Sequence, residues 1–487
     1  MNIKEAKNCL KDAIRFYLLK NEDGTYKIPI NRQRPLAMIG PAGVGKTDVA
    51  RQAAEEMGVN FLSYTITHHT RQSIMGLPRL SVREYEGQEY HVTDYTMSEI
   101  ISEIHETIKR TGKKEGVLFL DEFNCASETI APLMLQFLQN KTFGPHKVPE
   151  GWVIVLAGNP PEYNKSVKEI DVVTRDRIRQ INVEPSFDVW EEYAINKNVH
   201  PSILAYLSQN RGHFYHFSSS GLQKQMVTAR GWEELSQIID LSESLGTEVD
   251  ADLVQQYLAC EKICHSFVNY YNVFSKIATQ DELETILQGN AEDKLKKRFA
   301  NKSFDIRCAV IWMLSARLQK DIMEYCKLTN TCDKLHVILK KVDSAQPLGE
   351  QLKERNVFGE DIDGWYRPEP DKDPAVELAL KKFRSMARGQ NSKDAFEKIK
   401  KAFFAMAGER ETLRDRANGE ITHVLDFISE VFGENSEMEI LLNSLNTSEN
   451  AIRLMTETGN PTYLNYKKII FGDLSKAALT KKVKKEA

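Results

Sequence analysis

A glycine-rich segment places the tightest constraint on the fold of this chain. It fits the pattern G-x-x-x-x-G-K-[ST] and consists of Gly40, Pro41, Ala42, Gly43, Val44, Gly45, Lys46 and Thr47. The apolar run at residues 35–39 indicates a buried strand just before it, and helical periodicity follows over residues 46–57. This order predicts an α/β fold in which the loop lies at the carboxyl edge of a parallel sheet.

The residue types of the loop suit the binding of phosphate groups. Glycines allow successive backbone N–H groups to converge on phosphate oxygens, and the N-terminus of the following helix adds partial positive charge. Lys46 would neutralise the β- and γ-phosphates, and Thr47 would bring a hydroxyl to Mg²⁺. The loop contacts phosphates rather than the base, so it predicts a nucleoside triphosphate without choosing between ATP and GTP.

Two further apolar runs end in polar side chains. Residues 116–120 precede Asp121 and Glu122, and residues 152–157 precede Asn159. Because ligands bind at the carboxyl edge of a parallel sheet, we expect all three side chains at the phosphate site. Asp121 would support Mg²⁺, Glu122 would orient or deprotonate the attacking water, and Asn159 would hold that water.

Structural roles compete with each of these assignments. The glycine loop alone would also serve as a turn that caps a helix, and the acidic pair would serve as a cap of the next helix. Asn159 would serve as an ordinary turn residue. Asn124 fits either a cap or a polar group of the site.

Strands alternate with helices up to about residue 185, which indicates a three-layer αβα domain with a parallel sheet. Residues 82–85 and 89–92 flank Gly87 and predict a β-hairpin. Beyond residue 185 the pattern changes to helices only, with helices expected at residues 188–197, 201–209, 229–245 and 252–271.

We therefore expect four regions. They are an N-terminal helix and lead-in at 1–33, an αβα nucleotide-binding domain at 34–187, a helical lid at 188–280, and a helical C-terminal domain at 281–487. A linker or extended loop is predicted at about 343–373, where prolines and glycines concentrate. The basic end at 481–485 predicts a solvated tail.

Composition narrows the class of protein. The formal net charge of the 487 residues is −4, which argues against indiscriminate binding of nucleic acid. The seven cysteines are scattered without a CxxC pair, and this favours a reducing compartment. The N-terminus lacks the apolar core of a signal peptide, and we find no run long enough to span a membrane. These features predict a cytoplasmic protein.

The order of these motifs resembles the AAA+ ATPase superfamily, and within it the chain is most similar to the MoxR family of ATPase chaperones. The resemblance implies hydrolysis of ATP with Mg²⁺ in a ring, expected to be a hexamer. It assigns Asn159 to sensor 1 and Arg230, in Thr-Ala-Arg-Gly-Trp, to sensor 2. Arg177 matches the arginine finger that reaches the nucleotide of a neighbouring subunit, with Arg175 as its rival.

Two insertions fit the same resemblance. The predicted hairpin at 82–92 is similar to the helix-2 insert of this clade, and the excursion at 141–151 resembles its pre-sensor hairpin. In related rings such inserts line or cap the central pore, which makes Tyr85, Tyr90 and the loop at 74–78 expected substrate contacts. Simple packing is the alternative role for these residues.

The resemblance covers about residues 35–271, and Ile178 stands where an aromatic residue commonly follows the finger. It implies an ATP-driven assembly or remodelling machine that acts on a protein partner, and it leads us to expect a partner with a von Willebrand factor A domain. A DNA-associated AAA+ motor and a nucleotide-switch scaffold remain alternative functions.

Overall fold

The computed structural model describes residues 1–163, 167, 170–218, 225–340, 374–387 and 392–472. The predicted linker at 343–373 and the predicted tail at 481–485 lie outside these residues. The chain divides into two compact units. The first comprises Met1–Trp190, Arg211–Leu235 and Ala251–Cys264, and the second comprises Glu191–Asn210, Ser236–Asp250 and the chain from His265 onward.

The strands are, in chain order, β1 (Leu36–Ile39), β2 (Asn60–Thr65), β3 (Pro78–Tyr85), β4 (Gln88–Tyr95), β5 (Gly116–Asp121), β6 (Thr142–Phe143), β7 (His146–Lys147), β8 (Trp152–Gly158), β9 (Arg179–Asn182), β10 (His216–Ser218) and β11 (Gln225–Val227). Five of them form a parallel sheet in the order β2-β5-β8-β1-β9. The other six form the antiparallel ribbons β3–β4, β6–β7 and β10–β11.

The helices are α1 (Ile3–Leu18), α2 (Lys46–Glu56), α3 (Arg71–Met75), α4 (Glu99–Thr111), α5 (Ala131–Asn140), α6 (Val172–Arg175), α7 (Phe187–Asn196), α8 (Pro201–Gln209), α9 (Ala229–Leu245), α10 (Ala251–Gln255), α11 (Glu261–Phe274), α12 (Gln280–Leu287), α13 (Asp293–Ala300), α14 (Phe304–Lys340), α15 (Pro374–Ala387), α16 (Ser392–Phe432), α17 (Ser436–Thr447) and α18 (Glu449–Thr458). Residues 461–472 are also helical. In the part of the chain that the structure describes, no helix has the length and apolarity needed to cross a membrane.

The parallel sheet is covered by helices on both faces, as the unbroken apolar runs of β5 and β8 predict. Alternate side chains of a strand point to opposite faces. Val117 and Phe119 therefore pack with α1 and α2. Leu118 and Leu120 pack with α4 and α5 on the other face. This three-layer αβα arrangement confirms the predicted fold class.

Three local differences separate the structure from the sequence predictions. The fifth strand, β9, was not predicted, because its short Arg-Gln-Ile-Asn sequence at the edge of the sheet holds a single apolar residue. The ribbon β10–β11 lies in a region where only helices were expected. The single helix expected at 252–271 is two helices, α10 and α11, because residues 256–260 turn and form a bridge to Met226.

The second unit is built around long helices. α14 and α16 contribute a common core with α12, α13, α17 and α18, centred on side chains such as Leu314, Leu318, Ile421 and Leu425. Inside this helical unit, Asp321 accepts hydrogen bonds from Arg317 at 2.6 Å and from Arg416 at 2.8 Å. The unit therefore holds a buried ion-pair network in addition to its apolar core.

Candidate nucleotide site

The sheet brings the three predicted strand ends together. β8 lies between β5 and β1, so the residues that follow these strands share one edge. The backbone N–H of Gly40, directly after β1, donates to the carbonyl of Gly158 at the end of β8 at 3.2 Å. A side chain at Gly40 would meet the Val183 carbonyl oxygen at 2.5 Å, which explains a glycine at this position.

Lys46 is the buried cation of this edge. Its Nζ donates to the carbonyls of Gly40 and Pro41 at 2.7 and 2.9 Å and to Oδ1 of Asn159 at 3.1 Å. Only 8% of Lys46 is exposed. Burial lowers the pKa of its ammonium to about 8, although the negative charges of Asp121 and Glu122 act to raise this pKa. These three acceptors are uncharged, so the ammonium keeps the capacity to attract an anion.

Asp121 and Thr47 face each other across the site. Thr47 Oγ1 donates to Asp121 Oδ2 at 3.2 Å. A hydroxyl and a carboxylate are hard oxygen donors of the kind that Mg²⁺ takes beside phosphate oxygens. This pair of residues therefore fits the predicted metal.

Glu122 occupies an unusual backbone conformation for a residue with a side chain. Its φ is 53°, in the left-handed region, and its N–H donates to Asp121 Oδ1 at 2.9 Å. Its Oε2 accepts from the hydroxyl of Thr67 at 2.7 Å. A conformation of this kind costs about 1 to 3 kcal/mol and persists where surrounding contacts enforce it. The turn thus fixes the backbone of Glu122, and the hydrogen bond from Thr67 orients its carboxylate.

A segment after the sheet lies against the glycine loop. Gly43 and Gly45 have φ values of 75° and 88°, which a residue with a side chain rarely adopts. A Cβ at Gly43 would also meet the Thr228 Cβ at 2.8 Å. Two residues further on, the charge of Arg230 acts on Lys46 and adds to the lowering of its pKa. The predicted Arg230 therefore lies within electrostatic range of the loop.

Asn124 is a polar residue of the site whose role the sequence left open. Its Nδ2 donates to the Asn159 carbonyl at 2.8 Å, and a Cβ at Gly158 would meet its Oδ1 at 2.4 Å. Asn124 therefore ties the turn after β5 to the turn after β8. Its position two residues after Glu122 was the signal in the sequence for a polar group at this site.

Arg177, the predicted arginine finger, contacts Val173 and Gln139. Its Nη1 donates to the Val173 carbonyl at 2.6 Å. With the Gln139 amide oriented to satisfy both donors, its oxygen accepts from Arg177 Nε at 3.0 Å and from Nη2 at 2.7 Å. The rival Arg175 is exposed at the end of α6. Within the described residues, neither arginine contacts Lys46 or the acidic pair, so the structure does not bring them into the cluster of this chain.

Comparisons with known proteins agree with this geometry. Residues 35–178 match the family described as AAA domain (dynein-related subfamily). No curated protein matches the chain.

Among solved structures, the chain is similar to the Thermotoga maritima RuvB Holliday junction branch migration motor, with 13% identity, coverage of 59% of this chain and 74% of that one, and a TM-score of 0.29. A variant of the same protein gives 13% identity, 58% and 74% coverage, and a TM-score of 0.30. TM-scores this low support no conclusion.

The parallel sheet, the phosphate loop and the acidic pair define the class of protein, which is a P-loop ATPase. Residues 35–178 of the chain are an AAA domain of the AAA+ ATPase superfamily.

Proposed function

We propose that this chain is a MoxR-like AAA+ ATPase that hydrolyses ATP in a hexameric ring to remodel or assemble a partner protein. The observation that carries the ATPase part is the convergence of Lys46, Asp121, Glu122 and Asn159 at one edge of the sheet. A cytoplasmic location is part of the proposal.

The residues of the loop bind the triphosphate. Lys46 holds the β- and γ-phosphates, aided by backbone N–H groups from Gly40 to Gly45 and by the N-terminus of α2. Thr47 and Asp121 hold Mg²⁺, which neutralises phosphate charge when bound. The uncharged acceptors of Lys46 support this role, because they stabilise the ammonium without neutralising it.

Glu122 and Asn159 act on the attacking water. Glu122 accepts a proton from it or orients it, and its fixed backbone supports that task. Asn159 positions the water and contacts Lys46, so it senses the outer phosphate. Arg230 adds positive charge beside the loop and acts as sensor 2.

The ring completes the site in trans. Arg177 of one subunit stabilises the transferring phosphoryl group bound to the next, a contribution that is worth about 10³ to 10⁵ in rate in related chemistry. The exposed strip around Arg177 supports this geometry: Val172 is 83% exposed and Val173 is 50% exposed. A neighbouring copy would cover these apolar side chains.

The β3–β4 ribbon favours a protein as the partner. Leu80 is 75% exposed and Val82 is 54% exposed, and the Tyr85 and Tyr90 rings lie 5.9 Å apart. The ribbon has fewer cations than carboxylates: Arg79 and Arg83 against Glu84, Glu86, Glu89 and Asp94. An apolar, weakly acidic ribbon suits polypeptide contacts better than phosphate contacts. This is the observation that favours remodelling over a DNA-associated motor.

The expected partner carries a von Willebrand factor A domain that binds a metal ion, as the MoxR resemblance implies. The test is affinity capture with Glu122→Gln in the presence of ATP and Mg²⁺, because this variant binds ATP without hydrolysing it. Lys46→Ala, which cannot hold the triphosphate, is the matched control.

We expect a von Willebrand partner to be enriched with Glu122→Gln over Lys46→Ala. Recovery of DNA, together with an ATP turnover that nucleic acid raises and salt suppresses, would favour the DNA-associated motor. Partner binding that persists in the ATP-bound form without any remodelling would favour the nucleotide-switch scaffold.

A further inference from the structure

The side chain of Gln139 is the contact that most constrains Arg177. Its oxygen accepts from both Nε and Nη2, while the Val173 carbonyl accepts from Nη1. All three guanidinium nitrogens are therefore engaged within one subunit. An arginine has five N–H donors in a rigid planar fork, so these contacts leave two donors for a further acceptor.

The helix that carries Gln139 is a rigid support. On α5, Phe137 and Leu138 are buried in the core beneath the sheet, and the Phe137 ring stacks on Phe143 at 4.0 Å. Gln139 itself lies on the exposed side of the same helix. A flexible arginine is thus held by a residue whose backbone is fixed by packing.

We propose that Gln139 is a positioning residue for the arginine finger: it holds Arg177 in the orientation needed to reach the nucleotide of a neighbouring copy. The inference rests on the proposed role of Arg177 in trans. Fixing a long side chain before the subunits meet removes the entropy cost of ordering it later. Loss of the contact is expected to lower the rate about three- to tenfold, through kcat rather than KM.

The test uses mixed rings in which one subunit supplies the finger and another supplies the nucleotide site. Arg177→Ala subunits keep an intact phosphate loop and lack the finger. Lys46→Ala subunits keep the finger and lack a working loop. Neither hydrolyses ATP alone, so activity on mixing reports a finger that acts in trans.

Three further subunits that donate the finger are compared, and each carries Lys46→Ala together with one more substitution. We call them donors. Gln139→Met removes the acceptor and preserves side-chain length. Gln139→Glu preserves an acceptor at the same place. Gln136→Met makes the same change as the first at another exposed glutamine of α5 and serves as the matched control. Co-purification of tagged subunits checks that each donor enters the ring.

In rings mixed with Arg177→Ala, we expect subunits with Lys46→Ala and Gln136→Met to restore as much activity as subunits with Lys46→Ala and no further change. Subunits with Lys46→Ala and Gln139→Met should restore three- to tenfold less. Gln139→Glu should recover most of that loss. Equal rescue by the Gln139→Met donor, or equal losses in Gln139→Met and Gln139→Glu, would overturn the role of Gln139 and leave the finger intact. Absence of rescue by Lys46→Ala itself would overturn the finger assignment and this inference with it.

Discussion

The Lys46 ammonium donates a hydrogen bond to Oδ1 of Asn159 at 3.1 Å, joining the phosphate loop after β1 to the turn after β8. The Asn159 carbonyl in turn accepts from Asn124, which follows the acidic pair. A chain of contacts thus connects the residues proposed to bind phosphate with the residues proposed to act on water. If a bound phosphate displaced the Lys46 ammonium, the hydrogen bond from Lys46 to Asn159 would change directly.

Replacement of this asparagine tests the connection. Asn159→Ala should lower kcat about 10²- to 10³-fold, because it removes a polar group proposed to hold the attacking water. Nucleotide affinity should change only a few-fold, since Lys46 keeps its two carbonyl contacts. Steady-state hydrolysis and binding of a fluorescent ATP analogue measure the two effects. A large loss of affinity with unchanged kcat would contradict the assignment.

The lowered pKa of Lys46 predicts how nucleotide binding depends on pH. Burial brings this pKa to about 8 in the free protein, whereas a bound triphosphate favours the charged form. Binding above pH 8 therefore requires uptake of a proton, and the dissociation constant should rise by up to about tenfold per pH unit there. Below pH 8 it should be nearly constant.

The measurement is ATP binding at several pH values from 7 to 10, with Lys46→Arg as the control. Arginine stays charged over this range, so its residual affinity should lack the rise. An identical pH profile in both proteins would show that another group is responsible.

Much of the fold follows from the sequence because its signals are local. Three of the five sheet strands, β1, β5 and β8, are apolar runs, and the loop between β1 and α2 has a distinctive glycine spacing. β9 has neither signal, because it is four residues long and lies at the edge of the sheet. Its pairing with β1 is a long-range choice that no local pattern encodes.

The sequence predicted the position of some residues of the candidate site, whereas their roles stay a prediction. Strand ends placed Asp121 and Asn159 on one edge, and the structure brings both to the loop. The contact of Gln139 with Arg177 joins an exposed glutamine on α5 to a half-buried arginine that follows α6. Such contacts depend on tertiary packing, so neither residue type nor spacing predicts them.

Gly43 and Gly45 of the loop both have a positive φ, but within the part of the chain that the structure describes a Cβ would clash with a neighbouring residue only at Gly43. Alanine substitutions at the two positions therefore distinguish the cost of backbone strain from the cost of a steric clash. A Cβ at Gly45 meets no atom of the described residues within 4 Å, so the cost of Gly45→Ala should be only the strain of a positive φ, about 1 to 2 kcal/mol. Gly43→Ala adds a clash with Thr228 and should destabilise the protein more.

Combining Gly43→Ala with Thr228→Gly should recover part of the stability that Gly43→Ala loses. Chemical denaturation of the parent protein, the two single variants and the double variant measures this coupling. Equal destabilisation by Gly43→Ala and Gly45→Ala, with no recovery in the double variant, would show that Thr228 is not in contact.

A carboxylate in the helical unit predicts a second dependence on pH. Burial and the nearby Asp321 raise the pKa of Glu420 to about 7. Between pH 4.5 and 7 the folded state keeps a proton that the unfolded state loses, so the free energy of unfolding should fall as pH rises. The expected fall is about 1 to 3 kcal/mol.

Glu420→Gln carries no titrating proton and should show a smaller fall between pH 5 and pH 8. Denaturant unfolding of the two proteins at both pH values measures the difference. Identical pH dependence in the variant and the parent protein would mean that Glu420 is not the titrating group.

The most direct test of the account is the ATP hydrolysis rate of Lys46→Ala in the presence of Mg²⁺. The proposed chemistry requires the Lys46 ammonium at the triphosphate, so the variant should lose measurable hydrolysis while it remains folded. Lys109→Ala, which removes an exposed lysine near the end of α4, should keep the parental rate. Hydrolysis by Lys46→Ala at the parental rate would contradict the account.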